Sequence, residues 1–168
     1  MSEVVRVNEL GQPVGEALPH WTPPPVPPRT PMEGRYCVVR PLVPADAPGL
    51  WKAFSLDREG RNWTYLAQGP YGQDEDFARW VSEASASVDP QFHVVGVPRG
   101  PAPLASSADP VGVAAYMRIT PASGVIEVGN IHFSPLLQRT RAATEAMYLM
   151  MRRVFELGYR RYEWKCDA

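Results

Sequence analysis

The run that most constrains this chain is Ile126-Glu127-Val128-Gly129-Asn130-Ile131-His132-Phe133, followed directly by Ser134-Pro135-Leu136-Leu137-Gln138-Arg139-Thr140-Arg141. Its first part sets β-branched and aromatic residues between turn formers and predicts a strand. Ser134-Pro135 ends that strand, because proline has no amide proton to give to a ladder. The spacing then predicts one helix over residues 140–157, with Gly158 as its stop. Strand, short polar loop and helix form one unit. The first amides of a helix have no intrahelical acceptor and carry the positive end of the macrodipole, which suits an anion such as a pyrophosphate. Arg139 and Arg141 stand at that helix start, where cations oppose the dipole. An anionic ligand between them would account for their position.

The flanking chain supplies the partners of this unit. Residues 36–42 read as a first strand. A helix opens at Pro44 and runs to about Ser55, with Leu50, Trp51 and Phe54 on one face. A second helix starts near Asp74 and runs to about Ala86, with Phe77, Trp80, Val81 and Ala84 as its apolar stripe. Residues 92–97 and 111–119 read as strands, separated by a Pro/Ala/Ser loop over residues 98–109. The short turn at residues 121–124 predicts an antiparallel hairpin with the central strand. Ala143, Met147, Met150 and Val154 recur at helical spacing and read as core. Residues 160–166 alternate as a last strand, parallel to the central one because a helix joins the two. Residues 1–34 form a proline-rich strap, dense in proline from Trp21 to Pro31, that lies extended with Trp21 as its anchor.

Composition narrows the function classes. The net charge is −1, against the basic excess that nucleic-acid binding asks for. Residues 1–90 hold 8 basic and 12 acidic side chains, while residues 91–168 hold 9 and 6, so the positive half carries the anion-site unit. No stretch has the roughly 18 apolar residues of a membrane span, and no signal peptide opens the chain, which gives a cytoplasmic location as the expectation. Cys37 and Cys166 fall in strand-like runs and read as buried reduced thiols. The 3 histidines and 2 cysteines show no metal-ligand spacing, so no metal is expected. A Gly-x-Ser-x-Gly elbow and a phosphate-binding Gly-x-x-x-x-Gly-Lys motif are both absent.

From Ile126 to Ala146 the sequence resembles the central motif of the GNAT superfamily of acetyl-CoA-dependent N-acetyltransferases. That motif is a strand followed by Gln/Arg-x-x-Gly-x-Gly/Ala, which Gln138-Arg139-Thr140-Arg141-Ala142-Ala143 matches at its first and last positions. Arg141 departs, standing where the pattern has the glycine that lets backbone approach phosphate. Ala143-Thr144-Glu145-Ala146 is similar to the helix start of the ribosomal-protein N-terminal acetyltransferase branch.

The resemblance covers residues 35–168 and implies an α+β fold, a GNAT-like mixed, mostly antiparallel sheet flanked by helices. Because the chain stops soon after the last strand, the fold is expected to lack its C-terminal helix and closing strands. The resemblance implies acetyl-CoA as co-substrate, held by Ile131, His132 and Phe133 and by Gln138, Arg139, Thr140, Arg141, Ala142 and Ala143. It implies acetyl transfer to a primary amine of a small molecule or a protein N-terminus, with no nucleic acid and no membrane, and with homodimerisation open. Trp63 and Tyr65 are the candidate acceptor-pocket residues. Glu127 is the first candidate for the base and His132 the second. Strict alternation puts Asn130 and His132 on one face and Glu127, Ile131 and Phe133 on the other, unless a bulge near Asn130 intervenes. The alternative is a non-catalytic CoA-binding or protein-interaction domain of the same fold.

Overall fold

The computed structural model describes residues 6–98 and 108–166. The Pro/Ala/Ser loop expected over residues 98–109 thus lies largely outside the described residues. A six-stranded sheet in the order β1-β2-β3-β4-β5-β6 organises the chain. Its strands are β1 (Met32–Glu33), β2 (Val38–Pro41), β3 (Gln91–Pro98), β4 (Ala108–Thr120), β5 (Val125–Phe133) and β6 (Arg161–Trp164). The first five pair antiparallel in sequence order, and β6 runs parallel to β5.

Helices cover both faces of the sheet. On one face lie α1 (Ala47–Phe54) and α2 (Asp74–Ala86), whose Leu50, Phe54, Phe77 and Val81 close over Val94, Val113 and Ala115. On the other lies α3 (Arg141–Glu156), whose Ala146, Met150 and Val154 close over Val39, Tyr116, Ile126 and Val128. The helical spacing of those residues explains the division, since each stripe needs one apolar surface to bury against. Tyr116 is sealed under α3 and donates its hydroxyl to the Met150 carbonyl at 2.8 Å, so its burial leaves no polar group unpaired.

The expected loss of a C-terminal helix and closing strands is overturned. Helix α3 is present, and β6 returns beside β5 as a closing strand, curling the sheet into a half-barrel. The local chemistry accounts for it. Gly158, at φ 96°, turns the chain back after α3, and the Gly124 carbonyl accepts the amides of Arg160 and Arg161 at 2.9 and 3.1 Å. Of the two cysteines expected as buried free thiols, one is buried and one is not. Cys37 is buried just before β2, and Cys166 is exposed just after β6.

The proline-rich leader packs against the start of β3 and against α3. Pro24 and Pro27 are buried, Gln91 donates to the Pro27 carbonyl at 3.0 Å, and Arg153 on α3 donates to the carbonyls of Thr30 and Pro31 at 2.6 and 2.9 Å. The Arg160 guanidinium lies 5.7 Å from the centre of the Trp21 ring.

Candidate functional site

Two bulges shape the middle of the sheet. On β5, the three steps from Gly129 to His132 span the distance that the two steps from Val113 to Ala115 cover on β4, and Asn130 takes up the excess at φ 48°. Asparagine tolerates this left-handed conformation better than most residues. The bulge resets the alternation. Ile126 and Val128 face α3, and beyond the bulge Ile131 and Phe133 pack on that same side. Glu127 and His132 therefore share the opposite face, where strict alternation would separate them. On β4 an extra residue falls between Met117 and Thr120, where Arg118 sits at φ 49°. Asp89 accepts the freed amides of Arg118 and Ile119 at 2.9 and 3.0 Å.

The second bulge aims Arg118 at Glu127. The Glu127 carboxylate is 4% exposed, and its Oε2 accepts Arg118 at 2.7 Å and Lys165 at 2.6 Å. Two cations thus compensate one buried charge. Oε1 takes neither of those bonds, and it lies 3.9 Å from where a Cβ on Gly129 would stand.

The β5–β6 ladder ends at Val128 opposite Trp164. Beyond it, from Gly129 to Phe133, β5 has no strand pairing on that side among the described residues. A bulge twists its strand and ends pairing, so the start of this open edge follows from Asn130. The edge leads into the loop Ser134–Thr140 and the N-terminus of α3. Thr140 caps that helix: its hydroxyl accepts the Ala143 amide at 3.2 Å and donates to the Leu137 carbonyl at 2.6 Å. The amides of Arg141 and Ala142, first in the helix, have no intrahelical acceptor.

Arg139 holds φ 60°, whereas Arg141 is already helical, so the place where a glycine was expected demands no glycine conformation. The Arg141 guanidinium lies 5.8 Å from the Tyr36 ring centre and that of Arg35 lies 5.4 Å from it. Neither these two nor Arg139 has a carboxylate partner among the described residues. Three uncompensated guanidiniums beside free helix amides suit a polyanion. Gln138 has a different setting: its amide donates to the Phe133 carbonyl at 2.8 Å and to Asn62 Oδ1 at 2.9 Å, bracing the loop.

His132 is 2% exposed, stacked on Phe54 at 3.8 Å and 3.9 Å from Trp63 between ring centres. Among the described residues neither ring nitrogen has a hydrogen-bond partner. Burial pulls its pKa down to about 4, with Asp57 acting in the opposite sense, so the ring is neutral near pH 7. Trp63 and Phe54 form part of a cleft of about 250 Å³ with Trp51, Tyr71 and the carboxylates of Asp57 and Glu59. Tyr65 is 79% exposed and does not line this cleft. Of the two expected acceptor-pocket residues only Trp63 lines this cleft, and Asp57 and Tyr71, which the sequence did not single out, line it too. They sit in polar loop runs, whose default reading is a solvated turn. Among the described residues no group of three His, Cys, Asp or Glu side chains could hold a metal ion.

No protein-family model matches the chain, and neither does any curated protein. Solved structures do match. A GCN5-related N-acetyltransferase from Brucella melitensis is 42% identical with a TM-score of 0.79, over 88% of this chain and 64% of that one. A probable acetyltransferase of the GNAT family from Chromobacterium violaceum is 32% identical with a TM-score of 0.80, over 94% of this chain and 75% of that one. A Vibrio cholerae protein described as a ribosomal-protein-serine acetyltransferase shares the fold at 15% identity and a TM-score of 0.64, over 88% of this chain and 76% of that one. The chain therefore spans somewhat under two thirds of the Brucella protein's length.

Proposed function

Because the chain belongs to the GNAT family of acetyltransferases, we propose that it transfers the acetyl group of acetyl-CoA to a primary amine on a small molecule or a protein N-terminus. One observation carries this reading. The open edge of β5 from Asn130 to Phe133 runs into a helix N-terminus flanked by Arg35, Arg139 and Arg141.

In this reading the amides of Arg141 and Ala142, with the Arg139 and Arg141 side chains, hold the pyrophosphate. The backbone of Asn130 to Phe133 lies along the pantetheine arm. Bound acetyl-CoA supplies the activated thioester. Backbone donors on the open edge polarise its carbonyl without a dedicated side chain. As the amine's C–N bond forms and the thioester's C–S bond breaks, the amine's proton passes through water to Oε1 of Glu127, because Oε2 is held by Arg118 and Lys165. CoA would leave as a thiolate that takes up a proton from solvent. His132 is enclosed by Phe54 and Trp63, and its role is to pack the acceptor wall.

The expected result for Glu127→Gln is a turnover reduced at least tenfold, with acetyl-CoA affinity held within about twofold. Unchanged turnover at saturating acceptor would remove Glu127 from the mechanism. A second reading has its own support. Arg118 and Lys165 hold the Glu127 carboxylate in two ion pairs, which suits a domain that binds CoA without catalysing. Acetyl-CoA binding with no thiol release across a panel of amines would favour that domain.

The likeness to the ribosomal-protein branch at Ala143–Ala146 centres on Glu145. Its carboxylate accepts the amides of Arg35, Tyr36 and Cys37 at 2.8, 2.6 and 2.9 Å. That duty belongs to the fold and gives no information about the acceptor.

A further inference from the structure

The cleft beside β5 constrains the charge of what enters it. Its walls are the rings of Trp51, Phe54, Trp63 and Tyr71. Trp63 meets both Phe54 and Tyr71 edge to face, at 5.8 and 5.7 Å between centres. The faces of such rings carry negative potential and attract a cation that reaches them. The rim carries Asp57 and Glu59 against the exposed Arg58. Glu59 is taken by Arg61 at 2.5 Å. Asp57 is less committed: Oδ2 accepts the Asn62 amide at 2.8 Å, and Oδ1 accepts no hydrogen bond from the described residues. Behind Phe54 and Trp63 stands neutral His132, which adds no positive charge to repel a cation.

A carboxylate beside aromatic rings stabilises an ammonium in its charged form. The nitrogen that attacks a thioester must be neutral, so such a cleft would hinder the reacting amine itself. The cation it favours is a different one. At about 250 Å³, just under the roughly 300–1,000 Å³ of pockets for drug-sized ligands, the cleft admits a small molecule's end group. We infer that the acceptor is a small aliphatic amine bearing a second cationic group, and that Asp57 with the Trp63 and Tyr71 rings holds this second group. The inference rests on the acetyl-transfer reading for the reacting end, and on the cleft alone for the cation.

Three ligands test it: diaminobutane, aminobutanol and aminobutyrate. Each presents the same primary amine, with a cationic, neutral or anionic group at the far end. Each is titrated into the protein with and without CoA by calorimetry, with tryptophan fluorescence as a second readout. Diaminobutane is expected to bind at least tenfold more tightly than aminobutanol, with aminobutyrate weakest. Asp57→Asn is expected to erase that order. The variant keeps an oxygen for the Asn62 amide, and its urea midpoint reports on the fold. Equal binding of the three, or an order that persists in Asp57→Asn, overturns the inference. Titration of acetyl-CoA into the same protein keeps the two readings apart. A diamine preference without acetyl-CoA binding removes the transfer reading and leaves the cation cleft. Acetyl-CoA binding without a diamine preference removes this inference alone.

Discussion

Glu145 ties the first turns of α3 to the turn that precedes β2, through three consecutive amides. Burial acts to raise its pKa, but the bonds from Tyr36, Arg35 and Cys37 outweigh it and hold the carboxylate below its ordinary range. The sign follows from linkage. The unfolded chain protonates this group first, so the stabilisation is complete above the unfolded pKa of about 4.3 and is lost as pH falls through the lower folded value. Glu145→Gln should cost roughly 1–3 kcal/mol at pH 7 and flatten the acid limb below about pH 4 in urea titrations. A variant with the wild-type acid limb would rule the clamp out. Sequence alone showed Glu145 only as part of a family-like helix start, because its partners lie more than a hundred residues away. Glu127 was legible as an unusual carboxylate in an apolar strand. Its two cations were not, since Arg118 reaches it through a bulge that no periodicity announces.

At the scale of elements, hydrophobic spacing placed the helices and strands to within a few residues, and α2 spans Asp74–Ala86 as its apolar stripe predicts. Pairing directions were legible too, since a tight turn forces an antiparallel hairpin and a helical crossover a parallel pair. The faces of β5 were not. One residue in a left-handed conformation at Asn130 reverses every side chain beyond it, and nothing in Gly129-Asn130-Ile131 fixes where the extra residue goes. The C-terminus was misjudged for a different reason. The strand over residues 160–166 was expected, but counting elements against a family pattern hid that this strand, returned by Gly158 and the Gly124 carbonyl, is itself the closing one. The capped start of α3 gives the prediction proper to this scale. Thr140→Ala should cost about 1 kcal/mol in urea unfolding, through loss of the bond to the Ala143 amide. It should also weaken acetyl-CoA binding, because the same turn presents the free amides. Unchanged affinity would place the anion elsewhere.

Across the whole molecule, two buried histidines set a second acid dependence. Burial draws the pKa of His93 and of His132 down to about 4, so both are neutral in the folded chain. An unfolded histidine takes its proton near pH 6.5. Stability should therefore fall as pH drops from about 6.5 to about 4, by up to roughly 1.4 kcal/mol per pH unit for each ring, and these two contributions should then level off. Nuclear magnetic resonance titration should find neither ring protonating until about pH 4. Titration of His132 near 6.5 would contradict its burial against Phe54 and Trp63, and titration of His93 near 6.5 its burial beside Tyr116. The central claim concerns the anion site at the head of α3. It is tested most directly by calorimetric titration of acetyl-CoA into the chain and into an Arg139→Ala/Arg141→Ala double variant. The account predicts micromolar binding, weakened at least tenfold when both guanidiniums are removed. Equal affinity in the two proteins, or no binding to the unaltered chain, would contradict it.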